Sequence, residues 1–441
     1  MVDVLNILKE LVGIESVNDP SRSIKPSIKC VQYLESILRD IGFKSEIIES
    51  NGYYSILGYV GYGYPIVMLM AHYDTVPVVF EEWSSNPFTL GIVNNRIYGR
   101  GVFDDKGNVA AIIAALSRIS FEKINGTLIY AFTGDEEIGG VNGALAVREN
   151  LKSKGLTPNY LVNGDGSDLS IIVRRRNVFN IEVTIREEVT YIRGFERSIR
   201  FNVLTPVMNT RHAAYFTHGV DTHPLIAASQ YLRVNSNLIA SSINGLFIKS
   251  NVIPSWVELK YVEPSLNGEL IKADYALTSL VKSIIPMTKA SLHSEFYSDY
   301  GVTITPNMYM YINGLHKLIL DVRVMSRRSI EIIDVFSGIL RENIPSASIK
   351  ISGGLGYLNT PKNSKIVATA SRVLKELGIE PRIIEGAGAS DSRFYSPLGI
   401  ECIDFGLIGG NMHGPNEYIE AKSLEKAVKF YTRIIEELTN P

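Results

Sequence analysis

Val4, Leu5, Leu8, Leu11 and Val12 recur on one helical face, and the same spacing returns at Val31, Leu34, Ile37, Leu38 and Ile41. Gly42 stops the second of these helices. An unbroken apolar run follows at Ile66–Met70, with further strand-like runs around Thr127–Thr133 and Tyr160–Asn163. Such runs predict strands buried on both faces of a parallel sheet. A helix expected over Val109–Ile119 begins just after the turn Asp104-Asp105-Lys106-Gly107. Strand and helix therefore alternate over residues 1–178, which predicts a mostly parallel sheet with helices on both faces.

After Arg174-Arg175-Arg176 the texture changes. Phe179-Asn180-Ile181-Glu182-Val183-Thr184-Ile185 alternates apolar and polar, as does Lys317–Val324. A period of two predicts antiparallel strands with one face exposed. Residues 179–354 are read as an inserted α+β domain. Over 355–441 the α/β texture returns. Ile366, Val367, Ala370, Val373, Leu374 and Leu377 mark a helix stopped by Gly378. A strand Cys402–Leu407 precedes a loop carrying His413, and Leu424–Leu438 closes the chain as an amphipathic helix. A 441-residue chain suits two domains, here with the first interrupted by the second.

Composition narrows the classes. The net charge of -2 gives no reason to expect nucleic acid or an anionic membrane as partner. No apolar stretch is long enough to span a bilayer, and the N-terminus reads as an amphipathic helix rather than a signal peptide. The two cysteines, Cys30 and Cys402, match no zinc-thiolate spacing, so any metal must use imidazole and carboxylate. Low cysteine content also fits a cytoplasmic location.

The candidate chemistry sits where the apolar runs end. Ile66–Met70 leads into Ala71-His72-Tyr73-Asp74-Thr75-Val76-Pro77, placing an imidazole and a carboxylate at the C-terminal edge of a parallel strand. That edge is where open α/β sheets build their sites. Asp104, Glu137, Asp165 and His413 lie near the ends of other elements. Two imidazoles and three carboxylates are a ligand set suited to a pair of zinc-like ions with one carboxylate bridging. Glu136, beside ligand Glu137, is the candidate general base, and Asp74 the carboxylate that orients His72.

The motifs His72-x-Asp74-Thr-Val-Pro77, Gly99-Arg-Gly-x-x-Asp104-Asp-Lys-Gly107, Asp135-Glu-Glu-x-Gly139 and His413-Gly-Pro-Asn-Glu417 occur in this order. Together they resemble the di-zinc family of succinyl-diaminopimelate desuccinylase, acetylornithine deacetylase, glutamate carboxypeptidase and aminoacylase. The resemblance implies a phosphorylase/hydrolase-like catalytic domain in which Asp104 bridges two zinc ions. His72 and Asp165 would complete one site, Glu137 and His413 the other, with a cis peptide between Asp104 and Asp105. Cobalt or manganese accept the same ligands.

The resemblance also implies that the inserted domain is a lid through which two copies form a homodimer. His212, in Thr210-Arg211-His212-Ala213-Ala214, resembles the histidine that such a lid sends into the partner's site to stabilise the oxyanion. Asn251, in Asn251-Val252-Ile253-Pro254, resembles the lid's Asn-x-x-Pro element. An extra stretch, about Glu187–Thr205, enlarges this lid. Ala389-Ser390-Asp391-Ser392-Arg393-Phe394 resembles the Ser-Asp-Gly-Arg-Phe stretch of the desuccinylases, and Arg393 offers a planar fork for a substrate carboxylate.

The expected activity is a metal-dependent amide hydrolysis that removes the acyl group from an N-acyl amino acid. A dipeptidase or carboxypeptidase with the same mechanism is the alternative. A binding homologue that has lost catalysis is a third reading, opposed by the presence of every ligand and of Glu136.

Overall fold

The computed structural model describes residues 2–206 and 211–440. They form two compact units, Met1–Arg175 with Tyr357–Pro441, and Arg176–Gly356. The division falls inside the arginine triplet and at Gly356/Tyr357, whereas the change of texture predicts 178/179 and 354/355. Alternation marks where a strand starts, and packing changes a little earlier at the first boundary and a little later at the second.

In the first unit a nine-stranded sheet runs in the order Ser45–Ser50, Tyr53–Gly61, Thr127–Thr133, Ile66–His72, Tyr160–Asn163, Glu401–Asp404, Ile171–Arg175, Leu358–Asn359, with Ile383–Gly386 also paired to Ile171–Arg175. The four central strands, Thr127–Thr133 to Glu401–Asp404, are parallel to one another. Their apolar runs are buried throughout, as two-sided coverage by helices requires. The flanks are antiparallel, apart from Ile383–Gly386, which runs parallel to Ile171–Arg175, so the sheet is more mixed than the mostly parallel one expected. One cause is local. Asn51 and Gly52 both adopt positive φ (51° and 75°), the geometry of a tight hairpin turn, and fold Ser45–Ser50 back on Tyr53–Gly61.

Helix Lys106–Leu116 is buried at every position and packs between helices Val4–Gly13 and Ala421–Thr439. It begins ahead of the expected Val109. Its small residues, Gly107, Ala110, Ala111, Ala114 and Ala115, let it be surrounded on all sides. A Cβ on Gly107 would meet the Val102 carbonyl oxygen at 2.2 Å. Truncating a core residue such as Leu69, fully buried in the His72 strand, would cost roughly 2–5 kcal/mol.

Register aligns the functional ends. His72 pairs with Thr133, Met70 with Asn163, and Asn163 with Asp404. The chain thus leaves the sheet at one edge as Tyr73-Asp74, Gly134–Glu137 and Gly164-Asp165. A small antiparallel sheet pairs Tyr418–Glu420 with both Arg96–Tyr98 and Gly409–Gly410. It places the loop carrying His413 beside the loop Gly99–Asp104.

The second unit holds two four-stranded antiparallel sheets. One runs Ile239–Gly245, Trp256–Pro264, Val189–Asn202, Glu269–Asp274, and the other Thr303–Ile312, Leu315–Val324, Asn177–Arg186, Ser348–Gly353. The two alternating segments pair with each other, Lys317 opposite Thr184. The extra stretch is the 14-residue strand Val189–Asn202, central to the first of these sheets. Helices Pro224–Val234, Tyr275–Thr288 and Ser329–Asn343 share this unit's core.

Candidate metal centre

Every expected ligand of the first unit stands at the end of a strand or in the turn or loop beside an element. Strand Ile66–His72 ends on His72 itself, strand Thr127–Thr133 delivers Glu136 and Glu137 through a short 3-10 turn, and strand Tyr160–Asn163 delivers Asp165. Asp104 immediately precedes Asp105, the N-cap of helix Lys106–Leu116, and the peptide between the two aspartates is cis. His413 lies in the loop after Gly409–Gly410 with φ of +60°, a left-handed conformation that a non-glycine residue holds only when its surroundings fix it.

Asp104 links the two imidazoles. Its Oδ1 is 2.9 Å from His72 Nε2 and its Oδ2 is 2.9 Å from His413 Nε2. Glu137 Oε1 lies 3.1 Å from the same His413 nitrogen. Two donor groups result, His72 with Glu136 and Asp165, and Asp104 with Glu137 and His413, each with its ligand atoms within 4.8 Å of one another. Glu136, expected as the base, lies close enough to His72 and Asp165 to be counted with them.

Asp74 is fully buried behind these residues. It stands 3.3 Å from His72 Nδ1 and accepts hydrogen bonds from the backbone amides of Glu136 and Glu137 and from Asn18. His72 therefore presents Nε2 to Asp104.

The electrostatics fit a cation pair. Burial works against a charged imidazole, yet hydrogen bonds to Asp104 and Asp74 raise the His72 pKa well above its ordinary value. His413 is raised likewise against the cost of burial, chiefly by the charge of Glu137 and by Asp104. Burial raises Asp165 and Glu136, which face further carboxylates. Four carboxylates thus crowd two imidazoles and demand positive charge. Glu137 Oε1 is buried and stands 3.1 Å from His413 Nε2, a pairing of two ligand atoms that an ion between them would take over. Zinc-type divalent ions suit this nitrogen and oxygen set.

Arg393 is 8% exposed and comes within 3.9 Å of Glu136 and 3.5 Å of Asp391. Its Nε and Nη2 are buried and make no hydrogen bond.

A model of peptidase family M20/M25/M40 matches residues 68–437. The chain belongs to this family. As a member it is a metal-dependent hydrolase. It is 23% identical over 449 residues to a succinyl-diaminopimelate desuccinylase of Stenotrophomonas maltophilia (strain R551-3), covering 99% of this chain and 100% of the relative. Among solved structures, the fold is similar to an aminoacylhistidine dipeptidase from Vibrio alginolyticus, with a TM-score of 0.71 and 14% identity over 99% of this chain and 96% of that one. It is also similar to the M20 family metallo-carboxypeptidase Sso-CP2 from Sulfolobus solfataricus, with a TM-score of 0.66, 18% identity and both chains covered fully.

Within this M20/M25/M40 chain, His212 and Asn251 belong to the second unit, and Thr210 of the histidine's motif lies outside the described residues. Their side chains meet, Asn251 Nδ2 lying 3.5 Å from His212 Nε2. His212 Nδ1 accepts from the Ala214 amide, and the backbones of His212 and Val252 form an isolated antiparallel bridge. Arg176, 1% exposed, donates to the carbonyl of Ala214 and to Thr303, which fixes the loop that carries His212.

Several residues at the centre had no role assigned from sequence. Glu417, fully buried, accepts from Arg100 and from the amides of Gly101, Phe103 and Asp104. It thereby ties the His413 loop to the Asp104 loop. Lys106 reaches the carbonyls of Leu11 and Ile14, and Asn108 joins Asp105 to the Gly164 carbonyl. Glu417 and Lys106 stand inside the quoted motifs, which was the available signal.

Proposed function

We propose that this chain is a di-zinc amide hydrolase that removes the acyl group from an N-acyl amino acid. The observation that carries the reading is Asp104 standing between His72 and His413, with Glu136 beside the pair. A bound pair of divalent ions supplies Lewis acidity for the scissile carbonyl and lowers the pKa of water towards neutrality. Glu136 takes the proton from the attacking water and passes it to the leaving nitrogen. Asp74 keeps His72 in one tautomer and holds the turn on which Glu136 and Glu137 sit.

Arg393 supports a substrate with a free carboxylate. Its buried, unfilled donors lie beside Glu136, and a carboxylate would satisfy a planar guanidinium in two hydrogen bonds. The curated relative's name, a desuccinylase, favours an acyl amino acid. The dipeptidase and carboxypeptidase among the structural neighbours support the second reading, a short peptide cleaved by the same groups.

The rest of the reading is the family pattern carried to this chain. Two copies dimerise through the second unit, and His212, steadied by Asn251, stabilises the oxyanion in the partner's site. A cytoplasmic location accords with two buried, unpaired cysteines and with no helix among the described residues being long and apolar enough to cross a membrane.

The test is hydrolysis of N-acetylornithine, N-succinyl-diaminopimelate, other N-acyl amino acids and dipeptides by the zinc-loaded chain, with a chelated sample alongside. Chelator-sensitive cleavage of the acyl amino acids is expected. Cleavage of dipeptides alone selects the peptidase reading, and no cleavage with two ions bound overturns both.

A further inference from the structure

We infer that Arg175 is a positioning residue for Asp165, and so for one of the two metal sites. The inference rests on the proposed metal centre. Asp165 lies between Gly164 and Gly166 at the end of a four-residue strand, on backbone with little intrinsic stiffness. An aspartate has one fewer methylene than a glutamate, so its reach depends closely on where its backbone stands. Arg175 supplies the constraint. Its Nη2 donates to the Asp165 carbonyl oxygen and lies 3.5 Å from Oδ1 of the same residue.

The guanidinium is itself held from two sides. Its Nε donates to Asp404 Oδ2 at 2.5 Å, and the other oxygen of Asp404 accepts from the Ser392 hydroxyl. Arg175 is 9% exposed, and Asp404 and Ser392 are fully buried. Strand Ile383–Gly386 sets Gly386 opposite Arg175, and a Cβ there would come within 3.0 Å of the guanidinium carbon. The missing side chain is the space the arginine occupies.

The charge arrangement explains why Asp404 is needed. A lone arginine beside Asp165 would compete with a cation for that carboxylate. Paired with Asp404, Arg175 keeps its hold on the Asp165 backbone while its charge is largely met elsewhere. Ser392 stands where the desuccinylase stretch has glycine, and its hydroxyl fixes the Asp404 carboxylate in the orientation that Arg175 uses. The chain Ser392–Asp404–Arg175–Asp165 thus runs from the loop bearing Arg393 to the metal ligand.

The test is zinc titration of the full chain against a chromophoric chelator, for wild type, Arg175→Gln, Arg175→Lys and Ser392→Ala. Arg174→Gln is the control, since Arg174 on the same strand pairs with Glu385 and Asn359 instead. Wild type and the control are expected to bind two ions. Arg175→Gln should weaken one site by roughly 10–100-fold and leave the other unchanged. Arg175→Lys should recover part of that loss. Ser392→Ala, a small change that a folded chain tolerates, should weaken the same site by a lesser factor. Two ions at wild-type affinity in Arg175→Gln, with KM raised for the acyl amino acid, would make Arg175 a substrate contact and overturn the inference alone. A wild-type chain that binds no zinc would overturn the centre itself.

Discussion

The Asp74 carboxylate lies 3.3 Å from Nδ1 of His72, and it also receives the amides of the two glutamates delivered by the neighbouring strand. One buried carboxylate therefore sets the orientation of an imidazole ligand and of the turn that carries a second ligand and the base. Asp74→Asn keeps the shape and puts a donor among donors. It is expected to weaken metal binding by roughly 10–100-fold and to cost about 1–3 kcal/mol of stability. Calorimetric zinc titration and denaturant unfolding measure both. Unchanged zinc affinity would mean that His72 is oriented by something else.

Glu136 and Glu137 are adjacent in sequence and are expected to fail differently. Glu136→Gln should keep two ions and lower kcat by roughly 10²–10⁴-fold, the usual contribution of a positioned base. Glu137→Gln should lose affinity at the site shared with Asp104 and His413. Metal analysis beside steady-state kinetics separates them. Metal loss in Glu136→Gln with Glu137→Gln still fully loaded would reverse the two roles.

The parallel centre of the sheet could be read from Ile66–Met70, where burial on both faces leaves no polar position, and from the apolar interior of Thr127–Thr133. The ligands could be read for the same reason, since polar residues stand out where such runs stop. Strand Val189–Asn202 was visible only as extra sequence. It carries Arg193, Glu196, Arg197 and Arg200 among its apolar residues and is largely exposed, so no clean period marks it. The hairpin turn at Asn51-Gly52 carried a usable signal in its dipeptide. Arg175 acts on residues brought to it by the fold, and spacing along the chain does not encode that, whereas Glu417 carried a signal in its motif but none for its partner Arg100.

Glu417 is fully buried and faces Arg100 and three backbone amides, with no second carboxylate paired to Arg100 among the described residues. Removing it strands a guanidinium and three donors without water. Glu417→Ala is expected to lose about 3–5 kcal/mol, the usual cost of breaking a buried pair. It should also loosen the His413 loop, so that zinc protects the variant less than wild type against thermal unfolding. A melting temperature equal to wild type, with and without zinc, would show that the Arg100 pair is dispensable.

His223 gives a pH dependence far along the chain from the ligands. It is buried in the second unit, its Nε2 3.1 Å from Asn307 Oδ1. Burial, reinforced by the charge of nearby His218, lowers its pKa from 6.5 to about 4. The folded state therefore favours the neutral ring, while the unfolded chain takes up the proton at higher pH. Stability from this group is fully present above about pH 6.5 and is lost as pH falls towards 4, by up to roughly 3 kcal/mol. Trp256 lies in the same unit and Trp83 in the other, so a Trp83→Phe background reports the second unit by fluorescence. Urea unfolding at pH 7 and pH 4.5 should show a smaller acid loss in His223→Gln than in its parent. Equal losses in the two proteins would mean that His223 does not titrate between those values in the folded chain.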